Sequence, residues 1–275
     1  MKFLKLSDHT GQQIDRAEQN REAEYQAQLA KYKDALARIQ LRKENASNAL
    51  RSAWHVGRLA KIVSCGWEWL SSRLAPIPPS PVKAQADRQE IVWAAGKEGE
   101  EIVLQALAQQ LSDAWTVVAG YRNRMGEIDL VAIGPEGIAA IEVKYLNGLV
   151  YSEGDSWYRD KYDKYGNLVE QRLKIADRRG RSPSKQLNDT AGALQDFLTS
   201  RGVHVRVLRV VVLSHPSSRL GIFNNQTVDW VSTVGSLNLT DFSRDRCIAN
   251  SPVQVEKLVG LIEKDHIFSS RLRSS

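Results

Sequence analysis

A short stretch, residues 127–145, reads as two apolar strands around a Gly-Pro-Glu-Gly turn, yet both strands carry charged residues. Asp129 precedes the turn, and Glu142 and Lys144 follow it. If the strands pair about the centre of the turn, Asp129 faces Glu142. Two facing carboxylates repel each other unless a cation lies between them, and hard Mg²⁺ prefers carboxylate oxygens. With the lysine alongside to offset charge on a phosphate, these residues predict metal-assisted attack on a phosphodiester.

The predicted hairpin has one charged side and one apolar side. Because side chains alternate along a strand, the four charged residues should project together. They are Glu127, Asp129, Glu142 and Lys144, with Glu127 expected opposite Lys144. The other side carries apolar residues that we expect to lie in a core: Ile128, Leu130, Ala132, Ala139, Ile141 and Val143. A salt-bridged face in solvent is the alternative interpretation of the charges, and a bulge would shift the pairing by one residue.

Strand and helix patterns alternate in the part of the chain that surrounds this hairpin. Helices are predicted over 88–111, from Ser182 to Gly202, and over 252–267. The core candidates of the first helix are Ile91, Ile102, Val103, Leu107 and Leu111. Strands are predicted for "WTVVAGYR", "VRVLRVVVLS" and "VDWVS". Interleaved strands and helices predict an α/β fold with a mixed sheet flanked by helices on both sides.

The first 86 residues have a different character. Residues 1–74 are predicted to form a helical arm, in which 11–50 is a long polar helix with a weak heptad pattern that could form a coiled coil. Residues 51–74 read as a basic amphipathic helix that could contact a membrane, a partner or its own domain. Four prolines in 75–86 predict a stiff linker, which leaves 87–268 as a separate domain.

The charge of this 275-residue chain is unevenly placed. The formal net charge is +6, and residues 1–86 hold 14 Lys/Arg against 8 Asp/Glu, whereas the two kinds balance in the rest. This asymmetry favours a polyanionic partner or surface.

Cysteine and histidine usage excludes two classes of protein. The two cysteines, Cys65 and Cys247, lie far apart, and the five histidines do not have metal-ligand spacing. Neither a disulfide framework nor a zinc site is therefore expected.

The first residues contain too short an apolar stretch for a signal peptide, and the chain has no run of about 18 apolar residues. We therefore expect a reducing, cytoplasmic location.

Five ordered motifs resemble a known family. An Asp followed, after a short turn, by E-V-K resembles the PD-(D/E)-x-K nuclease core, and the wider spacing resembles the NERD (nuclease-related) domain. The matching segments, over roughly residues 93–200, are "GKEGE", "EIDLV", "IEVKYLNGLV", Trp157 and "SPSKQ". Ser182 stands where the family has Asn, and serine also caps helices. The resemblance implies a restriction-endonuclease-like fold, and close helix–sheet packing at Gly96 and Gly99.

The resemblance also implies a role for each polar residue of the motifs. Asp129 and Glu142 would be metal ligands, for Mg²⁺ or Mn²⁺. Lys144 would be the catalytic lysine, Glu100 would assist the metal or its water, and Gln186 would orient the phosphate or the attacking water. A helix N-terminus that points at a phosphate suits the position of Gln186.

A charged insert separates Trp157 from Ser182. It could form a hairpin around 165–167, and its basic end could bind a nucleic-acid backbone, with nearby tyrosines (Tyr158, Tyr162 and Tyr165) for stacking. The expected nucleic-acid-binding residues are Arg172, Lys174, Arg178, Arg179, Arg181 and Lys185. A solvated surface loop is the alternative.

Together the motifs predict a metal-dependent nuclease of cytoplasmic location that hydrolyses phosphodiester bonds in DNA. One alternative is a non-catalytic nucleic-acid-binding protein with a nuclease-like fold. Another is a scaffold that acts through its N-terminal helices. Those helices could also form a homo-oligomer, and contact with a membrane surface is the less favoured use of them.

Overall fold

The computed structural model describes residues 1–57, 59–163, 165–240 and 251–272, so that Cys247 lies outside the described residues. The chain divides into two compact units. One comprises Met1–Gln13 and Ile91–Ser275, and the other comprises Ile14–Glu90.

The helices and strands have well-defined limits, and the helices and strands predicted from the sequence are all present. In chain order the elements are β1 (Lys2–Lys5), α1 (His9–Val56), α2 (Leu59–Arg73), α3 (Arg88–Gln110), β2 (Thr116–Asn123), β3 (Gly126–Gly134), β4 (Gly137–Lys144), β5 (Gly148–Glu153), β6 (Ser156–Tyr162), β7 (Leu168–Lys174), α4 (Pro183–Ser200), β8 (Val207–Leu213), β9 (Ser218–Asn224), β10 (Trp230–Thr233) and α5 (Pro252–Arg271). A short 3-10 helix, Val234–Ser236, follows β10.

A six-stranded mixed sheet organises the first unit. Its strand order is β1-β2-β3-β4-β8-β10. The central β2-β3-β4 meander is antiparallel, whereas β1 joins β2, and β8 joins β4 and β10, in parallel. The fold is therefore the mixed α/β arrangement that the alternating pattern predicted.

Helices cover both faces of this sheet, because successive residues of the central strands enter two different cores. The core under α4 and α5 takes Val131, Ile133, Ile138 and Ala140. The core under α3 takes Leu130, Ala132, Ala139, Ile141 and Val143. Val103 and Leu107 of α3, and Leu111 just beyond its end, are buried as predicted. Ile102 is only half-buried, and Ile91 at the start of the helix is 61% exposed.

The β3–β4 hairpin has the predicted register. Leu130 pairs with Ile141, and the pairing continues without a bulge to Gly134 and Gly137. The prediction that Ile128 shares a face with Leu130 is wrong, because Ile128 packs in the other core. Gly120 explains the change. It lies where the β2–β3 pairing is interrupted, and its φ of +67° breaks the alternation of side chains between the two faces of the sheet.

A second sheet of four strands, in the order β7-β6-β5-β9, carries the charged insert. The hairpin predicted around 165–167 is confirmed, since β6 and β7 pair antiparallel. Asp163 stabilises its turn by accepting hydrogen bonds from the backbone N–H groups of Tyr165 and Asn167. One face of this sheet is buried through Val150 and Trp157 in the core under α4.

The N-terminal residues differ from their predicted role. Residues 2–5, which the sequence analysis placed in the helical arm, form β1 and extend the main sheet. A strand of four residues with a single apolar pair, Phe3 and Leu4, gives too weak a pattern to recognise. The division of the chain into arm, linker and nuclease domain stays a prediction.

The second unit contains most of α1, all of α2 and the Pro-rich segment. The long helix predicted over 11–50 is confirmed and continues to Val56. Lys83 of the Pro-rich segment forms an ion pair with Glu22 of α1, and Arg21 of α1 forms one with Glu90. Four large apolar side chains of α2 are exposed: Leu59, Val63, Trp67 and Leu70. None of the described helices has the length and apolar character needed to cross a bilayer.

Candidate functional site

Lys144 lies at the centre of a polar cluster at the end of β4. Its Nζ donates hydrogen bonds to Glu142 Oε1 at 2.7 Å and to Gln186 Oε1 at 3.0 Å. Burial lowers the pKa of Lys144, but the negative charges of Glu142 and Asp129 outweigh it, so the pKa is raised overall. The lysine is therefore held protonated between an acid and an amide.

Gln186 reaches this lysine because of the way α4 begins. Ser182 caps the helix by accepting a hydrogen bond from the Lys185 N–H at 3.2 Å, and Pro183 occupies the first turn. These are the start signals that the sequence predicted. They place Gln186 in the first turn, on the side that faces β4.

Asp129 joins the cluster from the neighbouring strand. Its Oδ2 accepts a hydrogen bond from the Val143 N–H at 2.7 Å. Burial raises the pKa of Asp129 well above its usual value, and repulsion from Glu142 and Glu100 raises it further. The structure thus brings together Asp129, Glu142 and Lys144, as the hairpin spacing predicted, and Gln186, as the family resemblance implied, while the roles of these residues remain proposals.

Glu100 approaches the same acids from α3. Burial raises the pKa of Glu100 to about 7, and the charges of Glu127, Asp8 and Glu142 add to the increase. Lys5 lowers it in part. Sequence reasoning missed the involvement of Lys5 and Asp8, because nothing in the linear order signals that the N-terminal strand passes beside α3.

Glu127 does not take its predicted place opposite Lys144. Its carboxylate instead pairs with Arg122 at 2.5 Å and accepts a hydrogen bond from Ser7 Oγ at 3.2 Å. The broken alternation at Gly120 accounts for this, because it turns Glu127 away from the side that carries Glu142. The predicted single row of four charges is therefore wrong for this one residue.

The oxygens that remain suit a hard divalent cation. In the part of the chain that the structure describes, Oδ1 of Asp129 and Oε2 of Glu142 accept no hydrogen bond. No group of three or more His, Cys, Asp or Glu side chains among the described residues is placed to hold a metal by itself. Mg²⁺ commonly uses one or two carboxylates and completes its shell with water and substrate oxygens, so this pair of acids fits such an ion.

One of the two motif glycines packs as the resemblance implied. A Cβ on Gly99 would lie 2.5 Å from Ser214 Oγ and 3.1 Å from Tyr145 Cβ, so only glycine allows α3 to approach the sheet here. A Cβ on Gly96 would meet nothing within 4 Å, and the expectation of close packing is wrong for that position. The approach at Gly99 sets the position of the adjacent Glu100.

The predicted nucleic-acid-binding residues fall into two groups. Arg181 is bound to Asp177 at 2.9 Å and Lys185 to Asp189 at 2.6 Å, so both are partly neutralised. The other four, Arg172, Lys174, Arg178 and Arg179, have exposed side chains. The turn that bears Arg178 and Arg179 folds around Asp177, whose charge contributes to the raised pKa of Lys144. This turn therefore lies near the polar cluster.

Comparison with known families decides what kind of domain holds this cluster. Residues 95–214 match the sequence model of NERD, described as a nuclease-related domain. This segment is a nuclease-related domain. The match includes Glu100, Asp129, Glu142, Lys144 and Gln186, and the nuclease-related domain indicates a nuclease-like function for the chain. Comparison with curated proteins and with solved structures gives no match.

Proposed function

We propose that the protein is a nuclease of PD-(D/E)-x-K type that depends on Mg²⁺ or Mn²⁺ and hydrolyses phosphodiester bonds in DNA. One observation carries the proposal. Lys144 Nζ is bonded to both Glu142 and Gln186, on the strand next to Asp129, inside a nuclease-related domain.

Asp129 and Glu142 would hold the cation. The raised pKa of Asp129 supports this role, because the site concentrates negative charge that the protein's own cations do not neutralise. When bound, a hard divalent cation supplies Lewis-acid chemistry, which activates water for attack and offsets charge on the scissile phosphate. Glu100, with a pKa near 7, is suited to exchange a proton with water beside the two acids.

Lys144 and Gln186 would act on the substrate. The protonated lysine can leave one of its two acceptors and donate to a phosphate oxygen, which stabilises the charge that develops there. The Gln186 amide fixes the position of the ammonium group and lies at the start of α4, where backbone N–H groups favour an anion. These contacts would position the phosphate next to the acids.

The exposed turn with Arg178 and Arg179 would contact the DNA backbone. Phosphate contacts by arginine give affinity that decreases as salt increases and carry little sequence information. Because the turn folds around Asp177 near Lys144, a backbone held by it would lie close to the polar cluster.

The test is a cleavage assay with the full chain, plasmid and oligonucleotide DNA, and Mg²⁺ or Mn²⁺. Cleavage should require the cation, stop with EDTA, and be lost in Asp129→Ala and in Lys144→Ala. Asp196→Asn, which removes an exposed carboxylate of α4, serves as the control and should cut normally. A wild-type protein that binds DNA in a salt-dependent manner but cuts neither DNA nor RNA with either cation would instead be a non-catalytic binder.

A further inference from the structure

The outer face of the second sheet carries a stacked row of side chains that the polar cluster does not use. Tyr151 of β5 lies directly opposite Tyr158 of β6, with ring centroids 5.9 Å apart and planes inclined by 29°. The guanidinium Cζ of Arg172, on β7, lies 4.7 Å from the centre of the Tyr158 ring. We call Tyr151, Tyr158 and Arg172 the stacking ladder.

Strand alternation explains why the stacking ladder faces outward. Val150 and Trp157 are buried in the core, so that their neighbours Tyr151 and Tyr158 must project from the opposite face. Tyrosine rings placed side by side on an outer face do not contribute to that core. Their position therefore indicates a surface role.

The arginine of the ladder is held in an unusual conformation. Arg172 has a φ of +53°, which is rare for a residue with a side chain, and it lies at a register shift in the β6–β7 pairing. Asp160 stabilises this backbone by accepting a hydrogen bond from the Arg172 N–H at 2.7 Å, and it also accepts one from the Tyr151 hydroxyl at 3.1 Å. One carboxylate thus fixes both ends of the ladder.

The Tyr151 end of the ladder is bordered by a glycine. A Cβ at Gly221, on the adjacent β9, would lie 3.0 Å from Tyr151 Cβ, so that a larger residue would crowd the tyrosine. Glycine at this position therefore keeps β9 from placing a side chain against Tyr151. The half-buried Tyr151 ring forms the end of the row opposite Arg172.

The charge around the ladder favours an anion. Lys174 lies opposite Tyr158 and Arg219 opposite Leu149, on the same face, and both are exposed together with Arg172. Two acids share this face: Asp160, which is already engaged by two hydrogen bonds, and the exposed Glu153 at the end of β5, so the three cations outnumber the acids. A face that combines half-exposed aromatic rings with exposed cations suits a ligand that has both planar groups and phosphates.

The chain connects this face to the polar cluster at two points. β5 begins at Gly148, shortly after Lys144, and β7 ends at Lys174, from which the chain passes around Asp177 to Gln186. A strand of nucleic acid on the ladder would therefore lead toward the proposed site of cleavage.

We propose that the stacking ladder binds single-stranded nucleic acid, with unpaired bases stacked at the Tyr151 end and the backbone phosphates on Arg172 and Lys174. This inference rests on the proposed function in taking nucleic acid as the substrate, but it requires no cleavage. A duplex keeps its bases stacked on each other and cannot offer their faces to a protein ring, so the ladder selects unpaired strands.

Binding without hydrolysis tests this proposal. Fluorescence anisotropy is measured for the full chain in EDTA with a labelled 20-nucleotide thymidine strand, the corresponding uridine strand and a 20-base-pair duplex. The wild type should bind both single strands more tightly than the duplex. Tyr151→Leu and Tyr158→Leu should each weaken single-strand binding about 5- to 100-fold and leave duplex binding unchanged.

Two further substitutions separate stacking from other effects. Tyr151→Phe keeps the ring and loses only the hydroxyl, so it should bind like the wild type and serves if the leucine variants fold poorly. Arg172→Lys should weaken single-strand binding, because lysine keeps the charge but not the planar stack. Its matched control is Arg201→Lys, which alters another arginine stacked on a ring, that of Phe197, and should have no effect.

The outcomes distinguish this proposal from the proposed function. Equal affinity for single strands and duplex, or full single-strand binding by both leucine variants, overturns the ladder while leaving metal-dependent cleavage intact. A protein with the expected pattern of binding that cleaves nothing retains the ladder and contradicts the nuclease proposal.

Discussion

Asp129 accepts a hydrogen bond from the backbone N–H of Val143 at 2.7 Å, at a point where the regular pairing of β3 with β4 has already ended at Leu130 and Ile141. The Asp129 carboxylate thus accepts the hydrogen bond that a backbone carbonyl of β3 would accept in a continuous ladder. The carboxylate therefore lies within the end of the sheet rather than in solvent. The burial and repulsion that raise its pKa follow from that position.

Asp129→Asn should separate activity from stability. The amide oxygen can still accept from Val143, but the charge is gone, so cleavage should fall by more than roughly 100-fold. In EDTA at neutral pH the variant should be more stable than the wild type by roughly 0.5–2 kcal/mol, because a carboxylate with a raised pKa is costly to ionise in the folded state. A DNA cleavage assay measures the first effect, and thermal unfolding in EDTA measures the second.

The metal gives this experiment an internal control. Mn²⁺ should stabilise the wild type, because a ligand of the folded state shifts the unfolding equilibrium, and it should have little effect on Asp129→Asn. Asp196→Asn should respond to Mn²⁺ like the wild type. Equal stabilisation of Asp129→Asn would show that the ion binds elsewhere.

Gln186→Ala should reduce cleavage without unfolding the domain. Lys144 would lose the acceptor at 3.0 Å and keep only Glu142, so its ammonium group would be less well placed for a phosphate. We expect a decrease in kcat of about 10- to 100-fold. Asn188→Ala, two residues along the same helix, removes a bond to Thr227 instead and should cut normally. Similar losses in both variants would point to a defect of the helix.

The two motif glycines should respond in opposite directions to alanine. Gly99→Ala places a Cβ against Ser214 and Tyr145, and should lower the free energy of unfolding by about 1–3 kcal/mol. Gly96→Ala meets nothing and should raise it by up to about 1 kcal/mol, because alanine favours the helix. Urea denaturation of the pair gives the comparison, and destabilisation by Gly96→Ala would contradict the described packing.

His266 should make the domain sensitive to mild acid. Burial lowers its pKa below the usual 6.5, Arg122 lowers it further, and Glu127 and Asp265 raise it in part. Its Nδ1 accepts a hydrogen bond from the Arg122 N–H at 3.0 Å, so the folded state requires the neutral ring. The unfolded state therefore binds the proton more readily than the folded state. The contribution of His266 to the free energy of unfolding is fully present above pH 6.5 and is lost as the pH falls through 6.5 toward the lower pKa of the folded state.

His266→Asn tests this dependence. Asparagine can accept the same hydrogen bond but does not titrate, so its free energy of unfolding should decrease less between pH 7.5 and 5.5 than that of the wild type. Urea denaturation at several pH values measures the difference between the two proteins. Parallel pH profiles would show that other groups cause any acid sensitivity.

Regular patterns made much of the fold predictable from the sequence. The register of the β3–β4 hairpin followed from the turn between the strands, and the start of α4 from Ser182 and Pro183. These features depend on residues that are close together in the chain. The association of Asp129, Glu142 and Lys144 could be predicted for the same reason, because they lie on the two strands of one hairpin.

The features that the sequence did not reveal depend on contacts between distant segments. The positive φ of Gly120 interrupts the alternation, and it turns Glu127 toward Arg122 and Ser7. A glycine inside a strand can indicate such an interruption, but its effect on the facing strand cannot be read from spacing alone. The same limit applies to β1, whose position next to β2 comes from tertiary pairing.

The connections of the second sheet have a consequence for how such domains can diversify. Three of its four strands, β5, β6 and β7, belong to one continuous segment that begins just after Lys144 and ends just before the helix of Gln186. The strands that carry the two acids are complete without it. A segment of this kind can be lengthened, shortened or exchanged while the acids keep their places, so the same pair of acids could be combined with many binding surfaces by replacing a single stretch of chain.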